Sequence, residues 1–474
     1  MAVDPILAYH AVGFHRYELS CLRTRNVRDQ ILRGELLVER LADRGDIALG
    51  RDLLVVGGGA AGLACALAAC SRGIDVVVIE IEKSMLSKQY GVRSRWLDPC
   101  EFDWPQPHWR DRRMGSPGAF TLDFAAGSAH EVAVAWRATL ADVTTGTVAL
   151  PGMLSIYRGD ARKIRFRKLH NSGRIGASPW PGWPDGRPFG VLISCIGFEG
   201  EKTAIRSIPK GALHGPLFWA MDDLDLPDLG VAREDGGDVR ALVSGGGDGA
   251  QQDFLRILTG KFGLELYDAL DLPRFAREIP RLADALLAED VALRALSASV
   301  PGVALPHVHQ RWHRAFERVA GSIWRSWRRT GALPTLTALL KPGVQATWLI
   351  GDNSPGYCYG LNRLLATLVA RLHGHAQNRP HIDSASSVVR PGVKAPVIIT
   401  GARAHSVTPS DSTSHVCGSG CYGHEHEVEV SVGPGVTFPL GLFDVIVPRH
   451  GIIQAPLVGS PPVHEQRVAF DRPA

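Results

Sequence analysis

The stretch Leu53–Glu82, LLVVGGGAAGLACALAACSRGIDVVVIEIE, decides the fold. Leu53–Val56 is a short apolar strand, Gly57–Gly62 a turn, and Leu63–Ser71 an Ala-rich helix that Gly73 stops. Asp75–Glu82 is a second buried strand. Strand, helix, strand implies a parallel pair joined by a right-handed crossover. The turn carries Gly57-x-Gly59-x-x-Gly62 in the context the motif requires. Gly57 permits the tight turn, Gly59 lets a pyrophosphate approach the backbone, and Gly62 lets the helix pack closely on the sheet. The helix N-terminus, at Ala60 and Ala61, supplies N–H groups and a partial positive charge. Glu80, 23 residues after Gly57, ends the second strand. It can accept hydrogen bonds from both ribose hydroxyls and would repel a 2′-phosphate. A glycine-rich turn without a ligand is the plainer alternative, but strand, helix, strand and terminal acid together favour a nucleotide. Leu53–Cys70 is 18 uncharged residues, just long enough to span a membrane. Three glycines after a four-residue β-type run suit a buried strand, turn and helix better.

Around this segment the chain runs to 474 residues, which predicts two or three domains. Its 45% apolar and 21% charged residues are those of a soluble globular protein and exclude global disorder. A net charge of +4 is no nucleic-acid footprint. Eight scattered cysteines, at 21, 65, 70, 100, 195, 358, 417 and 421, read as buried small hydrophobes in a reduced compartment rather than a disulfide framework. The N-terminus lacks the basic and apolar regions of a signal peptide, so the expected location is cytoplasmic, with no membrane partner. No internal repeat of 20–50 residues is evident.

A second glycine turn follows the strand Arg240–Ser244 and opens a helix: Gly245-x-Gly247-x-x-Ala250. Asp268 lies 23 residues after Gly245, at the end of the short strand candidate Leu264–Asp268, and would favour NADH over NADPH. Asp248 sits inside the turn, where its carboxylate opposes a pyrophosphate unless it caps the helix. Gly246–Gly249, GGDG, also resembles the phosphoryl-transfer loop of NAD and lipid kinases. A helix-capping turn without a ligand is the third reading.

Leu53–Glu80 resembles the ADP-binding segment of flavoproteins with two dinucleotide-binding domains, the glutathione reductase-like superfamily. Val191–Phe198, VLISCIGF, resembles its hydrophobic strand before an Ala-Thr-Gly motif, of which only Gly197 stands here. Val243–Ala250 occupies the place of the NAD(P)H turn. Thr347–Asp352, TWLIGD, resembles the late motif whose Gly351-Asp352 would contact the FAD ribityl chain. The resemblance spans about 53–372. RWLDPCEFDWPQPHW, GPLFWAMDDL, SGGGDGAQQDFLRIL, CYGLNRLL and FDVIVPRHG are similar to a bacterial family described as FAD/NAD(P)-binding proteins. The resemblance implies FAD, with NAD(P)H as a further possible cofactor. It implies an FAD-dependent oxidoreductase moving hydride between flavin and a small-molecule substrate. The paired Cys-x4-Cys of dithiol reductases is missing, with only Cys100 in its region, so disulfide reduction is not expected. Gly211, His214 and Trp219 do not have the monooxygenase spacing. A non-catalytic dinucleotide-binding sensor or scaffold is the alternative.

The expected fold is α/β: a three-layer, Rossmann-type FAD-binding domain, a second Rossmann-like inserted domain and a C-terminal β-rich segment. The expected boundaries are an N-terminal helical segment at 1–50, the FAD-binding domain at 51–214, a second nucleotide-binding-like helical domain at 215–345, and a return to the FAD domain with the β-rich segment at 346–474. His415, Cys417, Cys421, His424 and His426 lack a standard zinc spacing and read as a surface loop, so no metal site is expected. His309 and His313 share a helix face without the glutamate of a metalloprotease motif. Trp312, Trp324 and Trp327 among arginines read as aromatic packing. Trp96, Trp104, His108 and Trp109 read either as a wall for the flavin or substrate or as core packing. Tyr357, Cys358, Tyr359, Asn362 and Arg363 surround a helix start that could face the flavin. Arg449 and His450 follow a strand end and read as substrate contacts. No catalytic acid or base is assigned.

Overall fold

The structure is a computed structural model. It describes residues 4–453 except 20–25, 50–51, 106–108, 110–121, 170–173, 178–187, 198–199, 234, 278–304 (apart from 284, 286 and 288), 356–357, 386–393, 411–414 and 418–424. The chain forms two compact units, one of residues 1–99, 112–200 and 452–474, the other of 100–111 and 201–451.

In the first unit Asp4 caps helix α1 (Pro5–His10), its Oδ1 accepting from Ile6 N at 2.9 Å and Leu7 N at 3.2 Å. Strands β1 (Ala11–Gly13) and β2 (Arg16–Glu18) follow as an antiparallel pair. Helix α2 (Val27–Asp43) is capped by Asn26, which accepts from Asp29 N at 2.6 Å. The decisive segment then forms β3 (Leu53–Val56), α3 (Ala60–Ser71) and β4 (Val76–Glu80), with every strand residue buried. Such continuous apolar runs are what a parallel strand covered on both faces requires. Helix α4 (Ala129–Thr145) starts in a capping box of Ser128 and Glu131 and stops at left-handed Gly146. Strands β5 (Leu154–Arg158) and β6 (Val191–Ser194) complete a sheet of order β1-β2-β6-β3-β4-β5, parallel from β2 onward. The first fifty residues are thus not a separate helical segment. Strand β2 extends the sheet beside β6, and Gly34 of α2 packs on α3, where an added Cβ would lie 2.9 Å from Ala61 O.

The second unit contains β7 (Ala204–Ser207), β8 (Ala212–His214), β9 (Val239–Ser244), α5 (Asp248–Thr259), α6 (Gly263–Ala269), α7 (Leu305–Thr330), β10 (Val344–Ile350) and α8 (Gly360–Gln377). After these come β11 (Ile382–Ser384), β12 (Ile398–Thr400), β13 (Arg403–Pro409), β14 (His426–Gly433), β15 (Val436–Phe443) and β16 (Val445–Pro448). A fully parallel sheet runs β11-β12-β10-β9-β16. A mixed sheet runs β8-β7-β13-β14-β15. Side chains on a strand alternate between faces. Ala241, Val243, Trp348 and Val447 pack with Phe254 of α5, Trp327 of α7 and Leu368 of α8. Leu242, Leu349 and Ile446 pack instead with Val407, Val428 and Phe443 of the mixed sheet. The layers are helices, parallel sheet, mixed sheet.

Three expectations are corrected here. The second unit begins near Glu201, not 215, and it takes up residues 100–111. The chain does not return to the first unit at 346: β10 pairs along its length with β9 of the second unit, because the Ala241–Ser244 and Ala346–Leu349 runs bury each other's edges. The late strands are not a separate β-rich segment, since β13–β15 cover the parallel sheet and β16 is its edge. Among the described residues, no helix is long and apolar enough to cross a membrane.

Candidate dinucleotide-binding site

The first glycine turn joins β3 to α3 between two neighbouring strands. Cys195 N, one residue past β6, donates to Val56 O at 2.6 Å, and Gly57 N donates to Ile79 O of β4 at 2.8 Å. Gly57 has φ +105°, and a Cβ there would overlap Cys195 O and lie 2.7 Å from Cys195 C. At Gly62 a Cβ would overlap Gly57 O and lie 3.0 Å from Gly57 C, so helix and turn approach as closely as backbone allows. Gly59 differs from both: nothing lies within 4 Å of the position its Cβ would take. Gly59 is also the N-cap of α3, and no side chain caps that end. An uncapped helix N-terminus under an open glycine is a ready anion seat. Ala60 and Ala61 form its first turn.

Glu80 ends β4 beside this turn. Its Oε2 accepts from Gly58 N and its Oε1 from Glu82 N at 2.8 Å. The segment after β4 is fastened over the turn. Leu86 N donates to Gly58 O at 2.9 Å. Arg137 of α4 donates from Nε to Met85 O at 3.0 Å, and its guanidinium lies 3.6 Å from the centre of the Tyr90 ring. No sequence motif marks Met85, Tyr90 or Arg137, because Arg137 of α4 stands some fifty residues downstream of the loop it holds. Gly197 follows β6 with φ +73° and open space at its Cβ position. The fold therefore gathers Gly57, Gly59, Ala60, Ala61, Gly62, Glu80 and Gly197 at the carboxyl ends of β3, β4 and β6. Since β4 and β6 flank β3, this is the topological switch point of the sheet. Cys195 is buried, and that burial, then Cys65 beside it, pushes its thiol pKa up.

The second glycine turn repeats this frame. Arg449 N, one residue past β16, donates to Ser244 O at 2.6 Å, and Gly245 N donates to Leu349 O of β10 at 2.9 Å. Gly245 has φ +144°, and its Cβ would lie 2.8 Å from Arg449 C. Gly247 is open and is the N-cap of α5 without a side-chain cap, while Ala250 is fully buried in the first turn. The chemistry differs. In register, Val56 faces Ile79 and Ser244 faces Leu349, so the counterpart of Glu80 is Ile350, which is 1% exposed. Asp268 does not supply the missing acid, because Leu264–Asp268 belongs to α6, not to a strand. The Asp248 Oδ1 accepts from Tyr359 N at 2.6 Å and faces Asn362 Nδ2 at 3.5 Å, so the carboxylate sits at the start of the neighbouring helix α8. Arg449 Nε donates to Asp253 Oδ2 at 2.7 Å.

Gly351 and Asp352 follow β10, a strand of the second unit that pairs with β9, and so do not adjoin a strand of the sheet that carries the first glycine turn. The Asp352 side chain is 64% exposed, with Arg403 at 3.6 Å. Trp104 packs against Phe316 at 6.0 Å between ring centres and against Gly360, so it is core; Trp109 meets Tyr267 edge-on, and Trp96 is exposed. Trp312 and Trp327 are also core. Cys358 is buried, its Sγ accepting from Gln251 Nε2 at 2.8 Å and Arg363 Nε at 3.1 Å. His313 is buried, and burial lowers its pKa to about 4. Ser244 Oγ lies 2.9 Å from His450 Nε2. His415 and Cys417 form a strand pairing with Val231–Arg233. His108, Tyr357, Cys421 and His424 lie outside the described residues. Among the described residues no cluster of His, Cys, Asp or Glu has metal-binding geometry.

Residues 52–89 match the family model for an FAD binding domain. That segment is β3, the first glycine turn, α3, β4 and the fastened loop after it. No curated protein matches the chain. Among solved structures, the chain is similar to thioredoxin reductase from Lactococcus lactis, at 10% identity and a TM-score of 0.34, covering 85% of this chain and 78% of that one. It is similar to bacillithiol disulfide reductase from Staphylococcus aureus at 10% identity and a TM-score of 0.36, covering 85% and 76%. A variant flavin monooxygenase from Stenotrophomonas maltophilia aligns at 19% identity and a TM-score of 0.23, covering 44% and 54%.

Proposed function

We propose that the protein is an FAD-dependent oxidoreductase acting on a small-molecule substrate. One observation carries this reading: Gly59 is open above an uncapped helix N-terminus, inside the segment that matches the FAD-binding model. Gly57 and Gly62 have no room for a side chain and set the shape of the turn. The N–H groups at the start of α3 would hold the pyrophosphate. Glu80, already accepting from Gly58 and Glu82, would exchange these bonds for ribose hydroxyls. Gly197, in a left-handed conformation, would bring backbone to the cofactor without a side chain in the way. Arg137 keeps the Met85–Tyr90 loop against the turn and so limits water access. When bound, the flavin supplies hydride exchange with an organic substrate, while the protein orients it. The sequence has no Cys-x4-Cys after Glu80, so the substrate is not a disulfide reduced through such a pair.

The test is the visible spectrum of the purified protein. The two bands of bound oxidised flavin are expected in the wild type and absent from Gly59→Val. A colourless wild type that FAD does not reconstitute, or a yellow Gly59→Val, overturns the assignment. Anaerobic bleaching by a substrate then establishes turnover. A yellow protein that no organic reductant bleaches is a dinucleotide-binding sensor instead.

A further inference from the structure

We propose that the second glycine turn is closed to nicotinamide dinucleotides because the Asp248 carboxylate sits where their pyrophosphate would lie. The two turns provide the comparison within one chain. Both have a tight first glycine wedged against the residue that follows a neighbouring strand, and both have an open second glycine capping a twelve-residue helix. Beyond Gly59 the next residue is Ala60, which adds no charge. Beyond Gly247 it is Asp248, whose Oδ1 is held by Tyr359 N–H at 2.6 Å at the start of α8. An anion approaching Gly247 meets that fixed carboxylate. The start of α8 already serves this internal negative charge, and Asp248 itself occupies the first position of α5. A ribose fares no better. The position in register with Glu80 is Ile350, buried and apolar, so hydroxyls placed there would lose their water without gaining an acceptor. One nearby cation, Arg449, has its Cδ 3.7 Å from the Cβ position of Gly249, but its charge is matched by Asp253 at 2.7 Å. Phe218 covers the same face of Gly249, its ring 3.2 Å from that Cβ position. NAD(P)H, implied by the resemblance to two-dinucleotide flavoproteins, therefore does not fit this turn.

The proposal does not depend on FAD binding in the first unit, and the two are measured separately. NADH and NADPH are titrated calorimetrically into the full-length protein as purified, into Asp248→Asn, and into Asp248→Asn/Gly247→Val. Asn keeps an oxygen for Tyr359 N–H and removes only the charge. Flavin content and melting temperature check that each variant is folded. The wild type is expected to show no saturable binding. Asp248→Asn is expected to bind saturably, at least tenfold more tightly than the detection limit that the wild type fails to reach, and the added Gly247→Val to abolish that binding. No gain in folded Asp248→Asn overturns the proposal. A second measurement stands if Asp248→Asn does not fold. Gly247→Val alone, at an open position with extended backbone, leaves any nicotinamide binding by the wild type unchanged if the proposal holds. Loss of that binding in Gly247→Val overturns it.

Discussion

Gly59→Ala separates cofactor binding from folding more cleanly than any other change in the first turn. Gly59 has φ −77° and ψ −173°, which any residue adopts, and a Cβ there meets nothing within 4 Å. Replacing Gly by Ala at a helix N-cap costs up to about 1 kcal/mol. The lower entropy of the unfolded chain returns about 0.4–1 kcal/mol. The apoprotein should therefore keep its stability to within about 0.5 kcal/mol, the usual range for a neutral surface change. The holoprotein should not. A methyl group at the point of closest approach to the pyrophosphate should cost about 1–3 kcal/mol, the usual range for overpacking. That is about 5- to 150-fold in the FAD dissociation constant. At FAD concentrations one hundred times the wild-type Kd, bound ligand adds about 2.7 kcal/mol, and a hundredfold weaker site forfeits most of it. For a unit of this size that corresponds to a melting temperature lower by roughly 5–9 °C. Thermal unfolding followed by far-UV circular dichroism, with and without FAD, measures both quantities. If the variant apoprotein melts several degrees below the wild-type apoprotein, or if its holoprotein is unshifted, the reasoning about Gly59 is wrong.

Gly62→Ala should behave in the opposite way, lowering the stability of the apoprotein itself by about 1–3 kcal/mol or more, because the added Cβ overlaps a carbonyl that cannot move aside; urea unfolding without FAD checks this. Arg256 is fully buried and pairs with Asp222 at 2.6 Å, Asp225 at 2.7 Å and Asp253 at 3.1 Å. Arg256→Met takes this cation from the buried Asp222 and Asp253, the latter retaining Arg449, and should cost about 3 kcal/mol of second-unit stability, read from denaturant midpoints. His373, 1% exposed, accepts from Ala346 N at 3.2 Å, and burial, aided by the charge of Arg379, lowers its pKa to about 3. The unfolded chain takes up this proton below the ordinary histidine value of 6.5, and the folded chain only near 3. Stability contributed by the neutral ring is thus complete above pH 6.5 and falls as pH drops towards 3, approaching about 1.4 kcal/mol per pH unit. His373→Gln should flatten the dependence of the urea midpoint on pH between 6.5 and 4; an unchanged slope rules out this residue as the cause.

The local features were legible because they are set by residues close in sequence. An unbroken aliphatic run, three glycines and an acid after the next run suffice to write β3, the turn, α3 and Glu80, since turn geometry and strand burial act over a few residues. The sequence also held the doubt about Asp248, whose charge conflicts with a pyrophosphate wherever the turn is placed. Strand partnership was not legible. Val344–Ile350 is an apolar strand before Gly-Asp in either unit, and only pairing with β9 assigns it to the second. The same spacing of 23 residues stands at Glu80 and, on a shorter and more polar strand candidate, at Asp268, yet one ends a strand and the other lies in α6. Leu264–Asp268 is short and mixed, and packing of Leu266 and Tyr267 into the helical core outweighs its weak strand preference. Which residue stands opposite a glycine depends on register, and register is fixed by the burial of both sheet faces across chain segments about a hundred residues apart. That is why Glu80 could be named from the sequence, while Ile350 and the Asp248–Tyr359 bond emerged only from the folded chain.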